Sequence, residues 1–153
     1  MSKTTQRMIY GRRTPGRPKR HYQRPEKPLR EYTKTDVWRE GERLAGEMLE
    51  SKGLDLIERN WRCKAGEADI VAMEDGTVVL VEVKCRIGSP EDEVFPELAV
   101  DEEKIGRYEI MLKYFMAQHP DVHNARFDVV AVNLVSDSMA KVRHIVSAVS
   151  WDD

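Results

Sequence analysis

Four charged residues interrupt two apolar stretches of the chain, and their types and spacing are suited to joint chemistry. They are Glu67, Asp69, Glu82 and Lys84. The pair Asp75-Gly76 stands between the two stretches. An Asp-Gly pair between apolar runs is one of the strongest short signals for a two-residue β-hairpin turn. The sequence therefore predicts antiparallel strands at 67–74 and 77–86 that bring the four charges close together.

A two-residue turn at this place would fix the register, because the strands then pair outward from the turn. That count predicts Asp69 opposite Glu82 and Glu67 opposite Lys84, with all four side chains on one face. Directly opposed side chains have Cβ atoms about 4.5–5.5 Å apart, so two facing carboxylates destabilise a sheet. A longer turn would shift the register and leave ordinary solvated charges at a strand edge.

Two arrangements would offset the predicted repulsion between Asp69 and Glu82. One carboxyl group can hold a proton, with its pKa raised by the neighbouring charge. Alternatively, the two carboxylates can share a divalent cation such as Mg²⁺, which keeps its other positions for waters and substrate phosphates. Lys84 would then point at the same place, where its ammonium group can hold or activate a water.

The surrounding pattern predicts the elements that position these charges. A helical apolar stripe runs over 36–53, with Asp36 as N-cap and Gly53 beyond the last turn. A second amphipathic helix is predicted over 101–120. The remaining strands are predicted at 56–61, 126–135 and 141–149. The order α-β-β-β-α-β-β indicates an α/β sandwich around a mixed sheet.

Charge is distributed unevenly along the 153 residues, although the formal net charge is only −2. Residues 1–35 hold 11 Lys/Arg against 2 Asp/Glu, whereas residues 36–153 hold 14 against 25. The first segment also has four of the seven prolines and few aliphatic residues. We therefore predict a disordered basic tail at 1–35 and a folded domain at 36–153. The tail is either a nucleic-acid-binding arm or a solvated extension without a role.

Composition excludes several classes of protein. The sequence has neither an apolar run of membrane-spanning length nor the apolar core of a secretory signal, so we expect no membrane association and a cytoplasmic location. Two cysteines, Cys63 and Cys85, are too few for a disulfide framework or a four-ligand zinc site. Both are expected to be reduced thiols.

The motif of one acid, twelve residues and then Glu-Val-Lys resembles the D…(D/E)xK motif of the PD-(D/E)xK nuclease superfamily. Four blocks in order resemble the YraN-like family of uncharacterised bacterial proteins, which is placed near archaeal Holliday-junction resolvases. These blocks are GERLAGEMLESKG, RNWRCKAGEAD, VVLVEVKCR and RFDVVAV. The resemblance covers residues 40–148 and implies a restriction-endonuclease-like α-β-β-β-α-β sandwich. Ala68 departs from the family, which tends to have a larger aliphatic residue there.

This resemblance implies a Mg²⁺- or Mn²⁺-dependent endonuclease that hydrolyses phosphodiester bonds in DNA, with branched or damaged DNA as one option. Asp69 and Glu82 would hold the metal, which would act as a Lewis acid and as the source of a nucleophilic hydroxide. Lys84 would orient or deprotonate the attacking water, and Glu42 would add an acid near the metal. The alternative is a catalytically silent nucleic-acid-binding or interaction module that keeps the fold.

Basic residues outside the motif are candidates for phosphate contacts, although exposed basic side chains are often only solvated. The candidates are Arg62, Lys64, Lys104 and Arg107. We expect DNA as the partner, and the sequence leaves a homodimer open. Arg126 and Asp128, at the start of a buried strand, are predicted to form a structural ion pair.

Overall fold

The helices and strands follow the predicted order. The computed structural model of the chain describes residues 22–89, 91 and 101–152. Within these residues the elements are a 3-10 turn (Leu29–Glu31), α1 (Lys34–Ser51), β1 (Asp55–Cys63), β2 (Gly66–Glu74), β3 (Thr77–Ile87), α2 (Glu102–Gln118), β4 (Asn124–Ser136) and β5 (Met139–Asp152). Both predicted helices and all predicted strands are therefore confirmed, with β5 several residues longer than the sequence indicated.

The five described strands form one mixed sheet in the order β1-β2-β3-β4-β5. Neighbouring strands are antiparallel except β3 and β4, which are parallel. A parallel pair needs a long crossover connection, and α2 lies in that connection. The prediction of an α/β sandwich around a mixed sheet is confirmed.

Two apolar layers, one on each face of the sheet, hold the helices in place. The layer under α2 contains Trp61, Leu80 and Phe115, and the layer under α1 contains Leu49 and Val81. Strand β4 is buried on both faces, as its apolar sequence predicted. Across the described residues, no helix combines the length and apolar character needed to span a membrane.

The chain before α1 packs onto the domain from Tyr22 onwards. Leu29 and Tyr32 pack against the layer under α1. The Leu29 N–H donates to Asp137 Oδ1 at 2.6 Å. Residues 1–21 of the predicted tail lie outside the described residues, so disorder there stays a prediction. The predicted boundary at residue 36 falls inside α1, which begins at Lys34.

Helix α1 begins earlier than predicted, because Thr33 and not Asp36 is its N-cap. The Asp36 N–H donates to Thr33 Oγ1 at 3.1 Å, and the Thr33 N–H donates to Asp36 Oδ2 at 2.9 Å. The two side chains thus form a reciprocal capping box. Either residue type can cap a helix, and the sequence alone did not distinguish them.

The turn between β2 and β3 has the predicted two-residue form. Asp75 and Gly76 both have positive φ, +45° and +88°, as a type I′ turn requires. The paired positions then run from Glu74–Thr77 to Ile70–Val81. This part of the predicted register is confirmed.

The predicted structural ion pair between Arg126 and Asp128 is also confirmed. Arg126 Nε lies 3.1 Å from Asp128 Oδ1, and His144 Nε2 lies 2.8 Å from Asp128 Oδ2. The Ser147 N–H donates to Asp128 Oδ1 at 2.8 Å. Burial alone would raise the pKa of Asp128, but these partners lower it below its usual value. These three partners thus stabilise the charged form of a buried carboxylate where β4 and β5 pair.

Candidate active site

The regular alternation of side chains breaks where β1 and β2 pass the candidate site. Ala68 packs in the layer under α2, whereas Ile70, two residues along the same strand, packs in the layer under α1. An unbroken strand would put both on one face. On the neighbouring strand β1, Asn60 has φ of +56°, a left-handed conformation that is uncommon outside glycine. Asp69 therefore lies where the alternation of side chains between the two faces of the sheet is locally reversed. We call this place the reversal.

At this reversal, β2 and β3 stop pairing in the regular way. The Val83 N–H donates to the Asp69 side chain, at 2.7 Å from Oδ2. The carboxylate of Asp69 thus accepts a hydrogen bond from the backbone of the neighbouring strand β3. The sequence predicted a direct cross-strand pair between Asp69 and Glu82, and this pair is not among the paired positions of the hairpin.

The acid beside Asp69 is instead Glu42, from α1. Glu42 is fully buried, and among the described residues neither of its carboxyl oxygens receives a donor in standard hydrogen-bond geometry, although Asp69 and the Tyr22 hydroxyl are close enough to change its pKa. Two ionised carboxylates only accept hydrogen bonds, so they leave each other unsatisfied. A proton on Glu42 would supply the missing donor to Asp69, and a cation would satisfy both.

Burial and mutual repulsion change the protonation of this acid pair. Burial, followed by the charge of Asp69, raises the pKa of Glu42 to about 8. Arg59 and the Tyr22 hydroxyl act in the opposite direction. Burial also raises the pKa of Asp69, with a smaller contribution from the charge of Glu82, which therefore still lies within electrostatic reach. The pair is suited to hold one proton or one cation at neutral pH.

Glu82 itself faces α2 and is surrounded by donors. The Tyr108 hydroxyl donates to Glu82 Oε2. Lys84 Nζ lies 3.2 Å and Arg107 Nη2 lies 3.5 Å from Glu82 Oε1. Tyr108 is fixed by stacking on Phe127, with ring centroids 3.9 Å apart. Glu82 is thus a paired carboxylate, unlike Glu42.

Two further sequence predictions about these charges need correction. Glu67 was expected to pair with Lys84, but it faces Arg62 on β1, with Arg62 Nε 3.3 Å from its carboxylate. Lys84 pairs with Glu82 on its own strand instead. The four charges do not share one face, because the reversal at Asp69 changes which side of the sheet its neighbours occupy. The structure places Glu42 beside Asp69 and Lys84 beside Glu82, and the charge of Glu82 reaches Asp69.

A close helix–strand contact positions Glu42. A Cβ at the preceding residue, Gly41, would lie 2.3 Å from the Cβ of Cys85, a distance that real atoms do not adopt. Only glycine lets α1 approach β3 this closely. Burial raises the pKa of Cys85 to about 12, so its thiol stays protonated. Cys85 is therefore a packing residue.

Of the four predicted phosphate-binding residues, the structure places Arg107 beside Glu82 and Arg62 beside Glu67. A Cβ at Gly66, the first residue of β2, would lie 3.2 Å from Met111 Sδ and 3.7 Å from Arg107 Cδ. The hairpin end that carries Arg62 and Lys64 therefore meets α2 at Arg107. Lys104 lies one turn before Arg107 on the same helix. Arg62 and Lys64 are exposed, whereas Lys104 is half-buried.

Two residues of the site were not found from the sequence. The ring of Tyr108 is buried under α2, as expected for an amphipathic helix, but its hydroxyl binds Glu82. Arg59 begins the block RNWRCKAGEAD but was given no role there, yet its guanidinium donates to the Glu42 carbonyl oxygen at 3.3 Å. A buried tyrosine needs a partner for its hydroxyl, which was the one available signal.

A divalent metal, implied by the resemblance, can be tested against these side chains. Within residues 22–89, 91 and 101–152, no three His, Cys, Asp or Glu side chains are gathered as a ready-made metal site. Mg²⁺, however, is usually held by one or two carboxylates, with waters and phosphates completing the shell. The unpartnered oxygens of Glu42 beside Asp69 fit that requirement.

Comparison with known proteins assigns the chain to a family. The sequence model of the uncharacterised protein family UPF0102 matches residues 41–132. The chain belongs to the UPF0102 family. This is the YraN-like family whose motifs the sequence resembles, so that prediction is confirmed.

Individual UPF0102 proteins are similar over most of their length. A UPF0102 protein of Beutenbergia cavernae is 41% identical over 111 residues, which cover 69% of this chain and 88% of the relative. One of Syntrophus aciditrophicus is 44% identical over 95 residues, covering 61% and 73%. One of Frankia casuarinae is 34% identical over 116 residues, covering 75% and 97%.

Proposed function

We propose that this UPF0102 protein is a metal-dependent endonuclease that hydrolyses phosphodiester bonds in DNA, with branched or damaged DNA as its substrate. One observation carries the proposal. The Glu42 carboxyl group is fully buried beside a second acid, Asp69, where β2 and β3 separate, and its oxygens receive no donor in standard hydrogen-bond geometry among the described residues. An unsatisfied buried acid destabilises a fold, so a pair of acids of this kind indicates a functional role.

Glu42 and Asp69 would hold Mg²⁺ or Mn²⁺, with Glu82 as a further acid within electrostatic reach. The bound metal would supply Lewis acidity and lower the pKa of a bound water. Asp69 is already oriented for such a role by the Val83 N–H.

We assign two roles to Lys84. It would orient the attacking water and stabilise the negative charge that develops on the phosphoryl oxygens. Its ammonium group is held 3.2 Å from Glu82 Oε1, and 42% of its side chain remains exposed. Tyr108 and Arg107 fix the same carboxylate and thereby position Lys84. A positioned ammonium group can orient a water and stabilise negative charge on phosphoryl oxygens.

The surface beside Glu82 would hold the DNA backbone. Arg62, Lys64, Lys104 and Arg107 surround the place where the β1–β2 hairpin meets α2. Phosphate contacts of this kind position a nucleic acid without reading its sequence. The arrangement supports recognition of DNA by its backbone and shape.

A catalytically silent nucleic-acid-binding module is the second candidate. It is favoured by Glu82, whose carboxylate is already engaged by Tyr108, Lys84 and Arg107. A metal site that used Glu82 would have to compete with these partners. This candidate predicts DNA binding without cleavage under any metal condition.

Cleavage assays on a panel of four-way junctions, flaps, bulges and linear duplexes test the proposal, each with Mg²⁺, Mn²⁺ or EDTA. We expect metal-dependent cleavage of a branched or damaged substrate by the wild type and its loss in Asp69→Asn. The matched control is Asp75→Asn, which removes an exposed acid from the same hairpin at a position that accepts Asn. Binding without cleavage by the wild type would support the silent module, and equal cleavage by Asp69→Asn would contradict the proposed site.

A further inference from the structure

Tyr22 lies against the candidate site although it precedes the first regular element. Its ring centroid is 6.0 Å from that of Trp38, with the planes inclined at 55°. Arg59 Cζ lies 5.3 Å from the Tyr22 ring centroid. Asn60 Nδ2 donates to the Tyr22 hydroxyl at 3.5 Å. One aromatic ring is therefore held by an indole, a guanidinium group and an amide.

The three partners of Tyr22 belong to the folded domain. Two of them, Trp38 and Asn60, keep exposed surface or, within the part of the chain that the structure describes, an unfilled hydrogen-bond acceptor. Trp38 remains 40% exposed. Asn60 Oδ1 is buried and has no hydrogen-bond partner among the described residues. The backbone at Asn60 is left-handed, with φ of +56°, and such strain in a residue other than glycine is concentrated at functional sites. The Asn60 amide thus presents an unused acceptor next to a donor that makes only a long bond.

These groups have the chemistry that recognises an unpaired nucleobase. Unstacked bases are held on aromatic side chains and on guanidinium planes. An Asn amide can donate to one atom of a base edge and accept from its neighbour. The Tyr22 ring contacts Trp38 and Arg59 but leaves Asn60 Oδ1 without a hydrogen bond within the described part of the chain. A base edge can bond both the amide nitrogen and the amide oxygen of Asn60.

We propose that Trp38, Arg59 and Asn60 form a slot for an unpaired nucleobase, which Tyr22 fills when no nucleic acid is bound. The proposal rests on the proposed function and specifies its substrate. Arg59 also donates to the Glu42 carbonyl oxygen at 3.3 Å, so the slot adjoins the acid pair. A nucleotide in the slot brings its own phosphodiester to the candidate site. The preferred substrates are then flaps, bulges and junctions with an unpaired nucleotide.

Two end-labelled DNA probes test the slot by fluorescence anisotropy with the full chain and Mg²⁺ replaced by Ca²⁺ to limit cleavage. One is a duplex with a single bulged 2-aminopurine, and the other is the same duplex without the bulge. We expect Tyr22→Ala to bind the bulged probe about 2- to 10-fold more tightly than the wild type, because the competing ring is gone. Its affinity for the paired duplex should not change.

The slot residues are then removed in the Tyr22→Ala background. Trp38→Ala and Asn60→Gly should each weaken binding of the bulged probe, by about 5- to 100-fold for the stacking residue, and leave the paired duplex unaffected. Glycine keeps the left-handed backbone at residue 60 while removing the amide. Thermal melts establish that each variant is folded.

Two control variants test whether the change in affinity is specific to the Tyr22 ring. Tyr22→Phe keeps the ring but loses the hydroxyl that Asn60 contacts, so its affinity for the bulged probe should lie between those of the wild type and Tyr22→Ala. Tyr114→Ala removes an exposed tyrosine from α2 and should bind like the wild type. Weaker binding of the bulged probe by Tyr22→Ala would overturn the proposal, because Tyr22 would then be a direct contact. Equal binding of both probes by every variant would overturn the slot alone. Binding of neither probe would overturn the slot together with the proposed nuclease function.

Discussion

Glu42 and Glu82 are the two acids of the proposed site that flank Asp69, and they have opposite surroundings. Glu42 is fully buried and receives no donor in standard hydrogen-bond geometry among the described residues, and burial with the charge of Asp69 raises its pKa to about 8. Glu82 is bound by Tyr108 and two cations. The first carboxyl group is suited to exchange a proton for a cation, and the second is suited to hold Lys84 in place. The difference follows from their positions, because Glu42 is buried on α1 beside another acid whereas Glu82 on β3 faces the donors of α2.

The raised pKa of Glu42 predicts how stability depends on pH without metal. Between about pH 4.5 and pH 8 the folded protein binds this proton and the unfolded chain does not, so the free energy of unfolding falls as pH rises. Glu42→Gln removes this penalty. In EDTA we expect it to be more stable than the wild type at pH 8, by on the order of 1–3 kcal/mol, with little gain at pH 4.5.

Urea unfolding at the two pH values measures this difference. The control is Glu50→Gln, an exposed position on the same helix, which should show no such pH dependence. A stability difference between Glu42→Gln and the wild type that is the same at pH 4.5 and pH 8 would show that Glu42 is not protonated in the folded state.

At the scale of elements, the part of the fold fixed by local signals was predictable. Asp75-Gly76 fixed the turn and with it the register to Ile70–Val81. The reversal at Asn60 and Asp69 was not predictable, because Asn adopts both extended and left-handed backbone and the apolar pattern does not distinguish them.

The pairing of Glu42 with Asp69 depends on how closely α1 approaches β3, which periodicity does not reveal. The resemblance suggested Glu42 as an added acid, but not that it would replace Glu82 as the nearest partner of Asp69. A Cβ at Gly41 would collide with Cys85, so the absence of a side chain at Gly41 is what allows the helix to lie this close to the strand. The position of the helix, rather than its existence, was the missing information.

Gly41 and Gly106 provide a matched pair for testing the contact between α1 and β3. Both glycines lie inside helices, but a Cβ at Gly41 would meet Cys85 Cβ at 2.3 Å, whereas one at Gly106 would have nothing within 4 Å. Gly41→Ala should therefore destabilise the protein by about 1–3 kcal/mol through overpacking. Gly106→Ala should stabilise it by about 0.5–1 kcal/mol through helix propensity. Urea unfolding measures both, and a Gly41→Ala variant as stable as the wild type would contradict the close contact.

At the scale of the whole molecule, opposite charges are separated along the chain. Residues 1–21 carry 7 Lys/Arg and no Asp/Glu, whereas residues 36–153 carry 14 Lys/Arg and 25 Asp/Glu. The net negative charge of residues 36–153 therefore disfavours the approach of DNA to the domain at long range. An arm that ends at Tyr22 would emerge beside the candidate site.

Deleting residues 1–21 tests whether this charge binds nucleic acid. The truncated protein keeps Tyr22 and the packed segment before α1, so its melting temperature should match that of the full chain. Its affinity for DNA should fall, and the slope of log K against log salt should become shallower by about 0.9 for each phosphate that residues 1–21 had neutralised. If affinity and slope are both unchanged, the segment is a solvated extension without a role in binding.

The central claim is that Asp69, Glu42, Glu82 and Lys84 form a hydrolytic site, and Lys84→Ala tests it most directly. Lysine has only donors and is not a metal ligand in this arrangement. Glu82 keeps Tyr108 and Arg107 as partners in the variant, so folding and binding of metal and DNA should survive. Lys34→Ala, an exposed lysine at the start of α1, is the control.

The measurement is the single-turnover rate of DNA cleavage at saturating metal, on the substrate that the wild type cleaves best. We predict a loss of about 10²- to 10⁴-fold in Lys84→Ala, as expected for a positioned proton-transfer group. Lys34→Ala should cleave at the wild-type rate. Cleavage by Lys84→Ala at the wild-type rate, or a wild type that cleaves no substrate, would contradict the proposed site.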